Sequence, residues 1–385
     1  MSQSSRDLSL IATCGRGLEP LLADELRALD MAAVAEQPGA VAFRGSWRDV
    51  YRANWRLRTA NRVLLGLGRW QAVNDDALAA GAHALVRGKS EWGGVDAATL
   101  FAPDRTLSIR ATSSRSRITD TRWIALKVKD GLVDGQRQRF GRRSSIDRDS
   151  PDLPLRVWLA DDRASLFLDT SGVPLDRRGY RDVTVAAPVR EHLGAACVLA
   201  AGWDGVGPVL DPMCGSATLL VEAAWLALGR APGCMRSSWG FERLPGFQPA
   251  TFTRVREEAL PVSDPEVTLY GIDHDPGAVA AARTNLERAG LADHARVRRG
   301  NAFTVEAPAP RGLLLVNPAY GTRLDSEREQ WRRLGDVLKQ RFSGWRAVVL
   351  AGDAGRGKWI GLRPSRKLSV KNGPLDARIL VFDLY

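Results

Sequence analysis

The stretch from Val206 to Leu220 (Val-Gly-Pro-Val-Leu-Asp-Pro-Met-Cys-Gly-Ser-Ala-Thr-Leu-Leu) constrains this chain more than any other. A short apolar run ends in an acidic residue, breaks at small residues, and resumes as an Ala- and Leu-rich helix from Thr218 to Leu228. That pattern is a strand, a tight loop and a helix, as at the first turn of a nucleotide-binding α/β domain. Gly215 is free to take a positive φ, and Gly215, Ser216 and Ala217 let a ligand come close to the backbone. Uncapped N–H groups at the helix start favour a carboxylate or another electron-rich group. No G-x-G-x-x-G and no Lys-Ser/Thr pair is present, so neither the dinucleotide nor the P-loop pattern applies. An ordinary strand-to-helix turn has the same outline.

A second stretch narrows the choice. Leu313-Leu314-Leu315-Val316 reads as a buried strand running into Asn317-Pro318-Ala319-Tyr320-Gly321. Asp-Pro-x-Cys-Gly-Ser followed by Asn-Pro-x-Tyr resembles S-adenosylmethionine-dependent methyltransferases that act on exocyclic amines of nucleobases. Such an amine has its lone pair delocalised into the ring and is a poor nucleophile. Two acceptors that hold its hydrogens draw the lone pair towards the methyl group. The Asn317 side-chain oxygen and the Pro318 carbonyl can serve, and Tyr320 can stack on an extruded base. The transfer then needs positioning rather than a strong base.

Between these stretches, Leu269 to Asp273 reads as a strand, and Asp275 and Pro276 as N-cap and first residue of the next helix. Asp273 can accept both ribose hydroxyls of a nucleoside cofactor, or it can merely cap the helix. It lies 58 positions beyond Gly215, against about 20 in dinucleotide-binding folds; a long loop at 229–265 fills the difference. Ala295 to Arg299, Leu313 to Val316 and Ala347 to Leu350 continue the strands, and Leu368 to Lys371 with Ile379 to Leu384 close the chain as a hairpin around Asn372-Gly373. A mostly parallel seven-stranded sheet is implied.

The N-terminal half has a different texture. A strand at Leu8 to Ala12, a helix at Leu18 to Leu29, a strand at Val41 to Phe43 and a helix from Trp47 form a small α+β unit. Strands near Leu107 to Ala111, Leu155 to Leu159 and Leu166 to Asp169, with a helix from Trp123 to Phe140, form a second. Between Arg105 and Arg148 lie twelve Lys/Arg and four Asp/Glu, most of a formal net charge of +11. That surplus, with Ser and Thr between arginines, suits a phosphate-tracking surface for RNA, although a solvated basic face has the same composition. The four cysteines are scattered without zinc spacing, so no metal is expected and the thiols read as reduced. No signal-peptide pattern and no membrane-length apolar run appear, and a cytoplasmic location is expected.

The resemblance then becomes specific. Lys127-Val128-Lys129-Asp130, Asp147 to Asp152, Arg178-Gly179-Tyr180-Arg181, Ala187 to Glu191 and Lys371 to Asp376 make the whole chain similar to the 23S rRNA guanine-N2 methyltransferase family of THUMP-domain, class I enzymes. The match is to the N-terminal-half type, without the second methyltransferase fused to it in many bacteria. The resemblance implies a ferredoxin-like domain at 1–66, a THUMP RNA-binding domain at 67–170, a linker at 171–187 and a Rossmann-like methyltransferase domain at 188–385. It implies Asn317, Pro318 and Tyr320 as catalytic residues, S-adenosylmethionine as cofactor, and 23S rRNA or a large-subunit precursor as partner. Cofactor contacts fall on Pro188, Glu191, Asp211, Pro212, Cys214, Gly215, Ser216, Thr218, Asp273, Asn301, Ala302 and Asn317. RNA contacts fall on Arg115, Arg117, Lys127, Lys129, Arg142 and Arg143. Three positions depart from the family: Ala319 stands for Pro, Ala217 for Gly and Asn301 for Asp. Alternative readings are a tRNA guanine-N2 methyltransferase and an RNA-binding assembly factor with weakened activity.

Overall fold

A computed structural model of the chain describes residues 8–88, 97–184, 188–318, 324–352, 355–373 and 375–385. Two seven-stranded sheets organise it. The first is built from β1 (Leu8–Thr13), α1 (Glu19–Ala28), β2 (Ala32–Gln37), β3 (Ala40–Gly45), α2 (Trp47–Arg56), β4 (Arg62–Gln71), α3 (Asp75–Val86), α4 (Ala97–Leu100), β5 (Leu107–Ser114), α5 (Thr121–Phe140), β6 (Leu153–Ala160) and β7 (Arg163–Asp169). Its strand order is β2-β3-β1-β4-β7-β6-β5. The two N-terminal units therefore share one sheet, joined where β4 and β7 pair antiparallel from Leu64↔Asp169 to Gln71↔Arg163. Nothing local in the sequence announces this seam, because strand pairing across about a hundred residues leaves no periodic signal. β6 alternates buried and half-buried residues along its length, as a strand with one covered face must. α3 covers that sheet beside α5, and the approach is close: a Cβ on Gly131 of α5 would stand 2.2 Å from the Ala79 carbonyl oxygen.

The second sheet comprises α6 (Glu191–Ala200), β8 (Val209–Asp211), α7 (Thr218–Ala227), α8 (Pro249–Glu257), β9 (Leu269–Asp273), α9 (Pro276–Arg288), β10 (Ala295–Arg299), β11 (Leu313–Val316), α10 (Leu324–Arg341), β12 (Arg346–Ala351), β13 (Arg366–Asn372) and β14 (Leu375–Asp383). The order is β10-β9-β8-β11-β12-β14-β13. β10, β9, β8, β11 and β12 run parallel, and β14 is the reversed strand, pairing antiparallel with β12 on one side and with β13 on the other. The order reverses between β8 and β11, and in open α/β sheets such a switch point opens a crevice at the carboxyl ends of the strands. Asp275 caps α9, accepting from the N–H groups of Gly277 and Ala278, with Pro276 behind it as expected.

The two halves are welded. The 229–265 excursion folds against α2: Tyr51 and Phe241 have ring centroids 4.8 Å apart, Trp55 and Trp239 6.0 Å apart, and Phe252 packs edge-on against both Trp55 and Phe241. Gly17 (φ +91°) lets the loop after β1 lie against β13, where a Cβ would stand 1.8 Å from the Ser369 carbonyl oxygen. Within the expected linker, residues 171–184 are packed rather than free. Arg178 and Tyr180 within it are fully buried, and Arg178 Nε meets Glu222 of α7 at 3.2 Å. The same guanidinium donates to the Leu175 carbonyl at 2.7 Å and to the Arg58 carbonyl in the N-terminal half. Burial lowers the Arg178 pKa, but the charge and hydrogen bond of Glu222, together with Tyr180 and Glu191, turn the net shift upward.

Glu222→Gln leaves that guanidinium buried without a counter-charge, and a loss of about 3–5 kcal/mol is expected. Urea unfolding followed by tryptophan fluorescence reads it. The double variant Arg178→Met/Glu222→Leu should lose less than the two single changes added together. A Glu222→Gln midpoint equal to wild type would contradict the role given to the pair.

Candidate active site

Four strands deliver the site. β8 ends at Asp211, β9 at Asp273, β10 runs into Gly300-Asn301, and β11 runs into Asn317-Pro318. Their carboxyl ends line a cavity of about 630 Å³ at the switch point. That size is suited to a nucleoside-sized ligand, since small-molecule sites span about 300–1,000 Å³.

The loop after β8 is tightly tied. Cys214 N–H donates to the Ile272 carbonyl at 3.0 Å, and Ala217 N–H donates back to Cys214 at 2.7 Å. Gly215 N–H donates to Asp273 Oδ2 at 3.0 Å, while Asp273 Oδ1 accepts from Asp275 N–H at 3.0 Å. Asp273 is thus held buried in the cavity wall. Gly215 takes φ 50° and Ala217 φ 66°, both in the left-handed region. This gives the physical reason for the glycine that the family resemblance leads one to expect at 217, since a left-handed alanine costs about 1–2 kcal/mol. Ala217 is the N-cap of α7 and no side chain caps the helix, so the N–H groups of its first turn stay available towards the cavity.

Of the twelve cofactor contacts expected from sequence, the structure brings eleven to this cavity, and Pro318 joins them. Glu191 is the exception. It opens α6 with its carboxylate 3.4 Å from Arg181 Nε and lines a neighbouring cavity instead; burial pushes its pKa up. Asn301 is exposed, and its side-chain oxygen accepts from the Phe303 N–H at 2.9 Å. Asn317 is half-buried and Pro318 buried, facing across the crevice from the 211–218 loop. Ala319 and Tyr320 lie outside the described residues. The sequence reading missed Asn285, fully buried on α9. Its amide donates to the Ser216 carbonyl at 3.1 Å while its oxygen accepts the Asp182 N–H at 3.0 Å, so it locks the loop to the preceding segment. A buried Asn inside an Ala-rich helix is the signal that points to it. Among the described residues no group of three or more His, Cys, Asp and Glu side chains can hold a metal ion, and no helix is long and apolar enough to cross a membrane.

The six expected RNA contacts all sit in the THUMP-like half, with unequal freedom. Arg115 forms a two-pronged pair with Asp161 at 2.8 Å, Arg117 lies 3.4 Å from Asp162, and Lys129 lies 2.7 Å from Asp130. Lys127 sits 4.8 Å over the exposed ring of Trp123. Arg142 and Arg143 are exposed and have no polar partner among the described residues.

Asp211 is the most perturbed carboxyl of the cavity. Burial, assisted by the Asp273 charge and opposed by the Met213 N–H, pushes its pKa up to about 8. An unfolded Asp titrates near about 3.9. From about pH 4 to about pH 8 the folded chain therefore holds more protons at this position than the unfolded chain, and stability falls as pH rises through that window. Asp211→Asn removes the ionisation and keeps an oxygen for the Met213 N–H. Its melting temperature should gain on wild type steadily from about pH 5 to about pH 8 in a thermal scan series; parallel curves would contradict the assignment.

Comparison with known proteins shows the family and the fold. Residues 178–380 match the RMKL-like methyltransferase domain, residues 9–64 the RlmL ferredoxin-like domain and residues 93–169 the THUMP domain. A protein of Syntrophotalea carbinolica named ribosomal RNA large subunit methyltransferase K/L is 38% identical over 98% of this chain and 54% of its own length. A namesake from Pseudomonas putida F1 is 38% identical over 97% of this chain and 52% of its own. The chain thus spans about half the length of the curated relatives it matches. Among solved structures, that of SMU.472 complexed with SAH superposes with TM-score 0.86 at 27% identity over 98% of both chains. A possible methylase from Clostridium difficile 630, at 24% identity and TM-score 0.87 over 98% of both chains, shares the fold.

Proposed function

Because the chain belongs to the RMKL-like methyltransferase family, we propose that it transfers a methyl group from S-adenosylmethionine to the exocyclic N2 amine of a guanine in 23S rRNA. The observation that carries this reading is the convergence of Asn317 and Pro318 with the 211–218 loop and Asp273 on one cavity at the switch point. The cavity fits the cofactor: an acidic residue ends β9, an uncapped helix start faces inward, and small residues let a ligand approach. Asp273 would hold the ribose hydroxyls, Asn301 and Ala302 the base, and the 214–218 turn the amino-acid end. Bound there, S-adenosylmethionine supplies an electrophilic methyl group.

The chain's own contribution is to position the amine. The Asn317 side-chain oxygen and the Pro318 carbonyl accept its two hydrogens and turn its lone pair out of the ring plane. Tyr320, two residues further on, is the proposed stacking surface for the base. The amine attacks while neutral, and the nitrogen, acidified by the methyl group it gains, then releases its extra proton to water; no strong base is required and positioning supplies most of the barrier reduction. RNA is the proposed partner of the THUMP-like half, held by its phosphates rather than by base reading.

Asn317→Ala should bind S-adenosylmethionine within about twofold of wild type by calorimetry, since the cofactor rests mainly on other residues. Tritium transfer to 23S rRNA transcript should fall by about 10²-fold or more, as for loss of a positioned transition-state contact. Turnover within a few-fold of wild type would refute the assignment. Replacing Arg142 and Arg143 together with Ala should lower the slope of log affinity against log salt by about two, one per phosphate contact. An unchanged slope would place the RNA on another face.

A further inference from the structure

A second cavity, of about 600 Å³, lies beside the first, and none of the roles above accounts for it. It is bounded by Asn61 and Arg62 at the start of β4, by the 174–181 stretch, and by the first residues of α6. Four guanidinium groups line it, those of Arg62, Arg177, Arg181 and Arg190, against only two carboxylates, Asp176 and Glu191.

The excess is concentrated in two side chains. Arg62 is already ion-paired with Asp169 and donates to the Gly172 carbonyl at 2.7 Å. Arg181 lies 3.4 Å from Glu191, and Asp176 lies 3.5 Å from His192 Nδ1. Arg177 and Arg190 are exposed, and neither side chain has a hydrogen-bond or ion-pair partner among the described residues.

The wall carrying them is held from behind. Arg236 donates to the carbonyls of Ser171 (3.1 Å), Val173 (2.8 Å), Pro174 (2.8 Å) and Arg177 (3.3 Å). Arg178 takes the Leu175 carbonyl at 2.7 Å. This stretch thus forms a fixed frame, which lowers the ordering cost of binding. The two cavities also share a partition. Arg181 Nη2 donates to Thr218 Oγ1 at 2.7 Å and to the Val189 carbonyl, and both Thr218 and Val189 line the first cavity.

We propose that this second cavity seats a backbone phosphate of the RNA strand adjacent to the base that enters the first cavity, gripped by Arg177 and Arg190. The inference rests on the RNA reading above and names a contact of that substrate outside the THUMP-like half. Planar guanidinium groups with free N–H pairs match phosphate oxygens two at a time. A base drawn out of its stack needs its flanking backbone held, or the flipped state pays for that freedom at every turnover. The shared partition puts the two ligands side by side, so holding one orients the other.

The test is the full-length double variant Arg177→Gln/Arg190→Gln. Arg190 makes no side-chain cap for α6, and the internal hydrogen bonds of Arg177 and Arg190 are made by their backbone N–H and carbonyl groups, which glutamine keeps, so the melting temperature and calorimetric affinity for S-adenosylmethionine should match wild type. Binding to 23S rRNA transcript across a potassium chloride series should lose about two from the slope of log affinity against log salt. KM for the RNA should rise about tenfold or more with a smaller change in kcat, and Arg177→Lys/Arg190→Lys should restore the slope but only part of KM. An unchanged slope with unchanged KM would overturn the proposal. So would an unchanged slope accompanied by loss of inorganic pyrophosphate binding in calorimetry, which would assign the cavity to a free anion. If wild type binds rRNA but transfers no methyl group to it, the guanine reading fails, and the slope still decides the cavity.

Discussion

A guanidinium sealed from water ties this molecule together. Arg178 leaves solvent completely, a transfer that is stable only when charge and hydrogen-bond capacity are both met. Glu222 on α7 meets the charge, and the Leu175 and Arg58 carbonyls each accept from one of the two terminal nitrogens. One side chain thus joins the N-terminal half, the 171–187 stretch and the helix that opens the cofactor cavity. Arg58 reciprocates by donating to the Trp225 and Arg230 carbonyls at 3.2 and 2.7 Å. With the aromatic contacts around Tyr51 and Phe241, this fixes the basic half relative to the crevice. On the proposed reading, an RNA gripped at one end would be presented to the other at a set distance.

The crevice follows from strand order. β8 lies between β9 and β11, and in open α/β sheets such a reversal of strand order leaves a crevice at the carboxyl ends of those strands. The chain invests local strain in keeping that place open. Ala217 holds a left-handed conformation, buried, where glycine would hold it freely. Asn285 and Asp273 bind the loop from either side, so its backbone donors are aimed before any ligand arrives. Asp211 sits beneath, neutral over most of the physiological range because burial disfavours its charge.

Much of the architecture was legible because buried parallel strands announce themselves as apolar runs and their ends as Asp or Asn. Asp211, Asp273 and Asn317 each terminate such a run, and the alternation between them fixes the α/β class. What stayed hidden was long-range. The pairing of β4 with β7, which makes one sheet of two units, depends on partners far apart in sequence. Arg178 reads as a solvated linker residue because a charged side chain at the surface and one in a buried pair look identical in a sequence. Glu191 was placed with the cofactor by analogy, yet the first turn of α6 aims it at the neighbouring cavity beside Arg181. Departures at 217 and 301 are likewise intelligible only with backbone angles and partners in hand, and Ala319 and Tyr320 lie outside the described residues.

The claim at the centre is that the Asn317-Pro318 end of β11 presents a guanine N2 amine of large-subunit rRNA to the cofactor cavity. Mass mapping of rRNA and tRNA from cells with and without the gene tests it most directly. The account predicts that one 23S rRNA fragment loses the mass of a single methyl group, on a guanine at N2, while every tRNA guanine keeps its modification. An unchanged 23S rRNA, or a methyl group missing from tRNA or from an adenine instead, would contradict it.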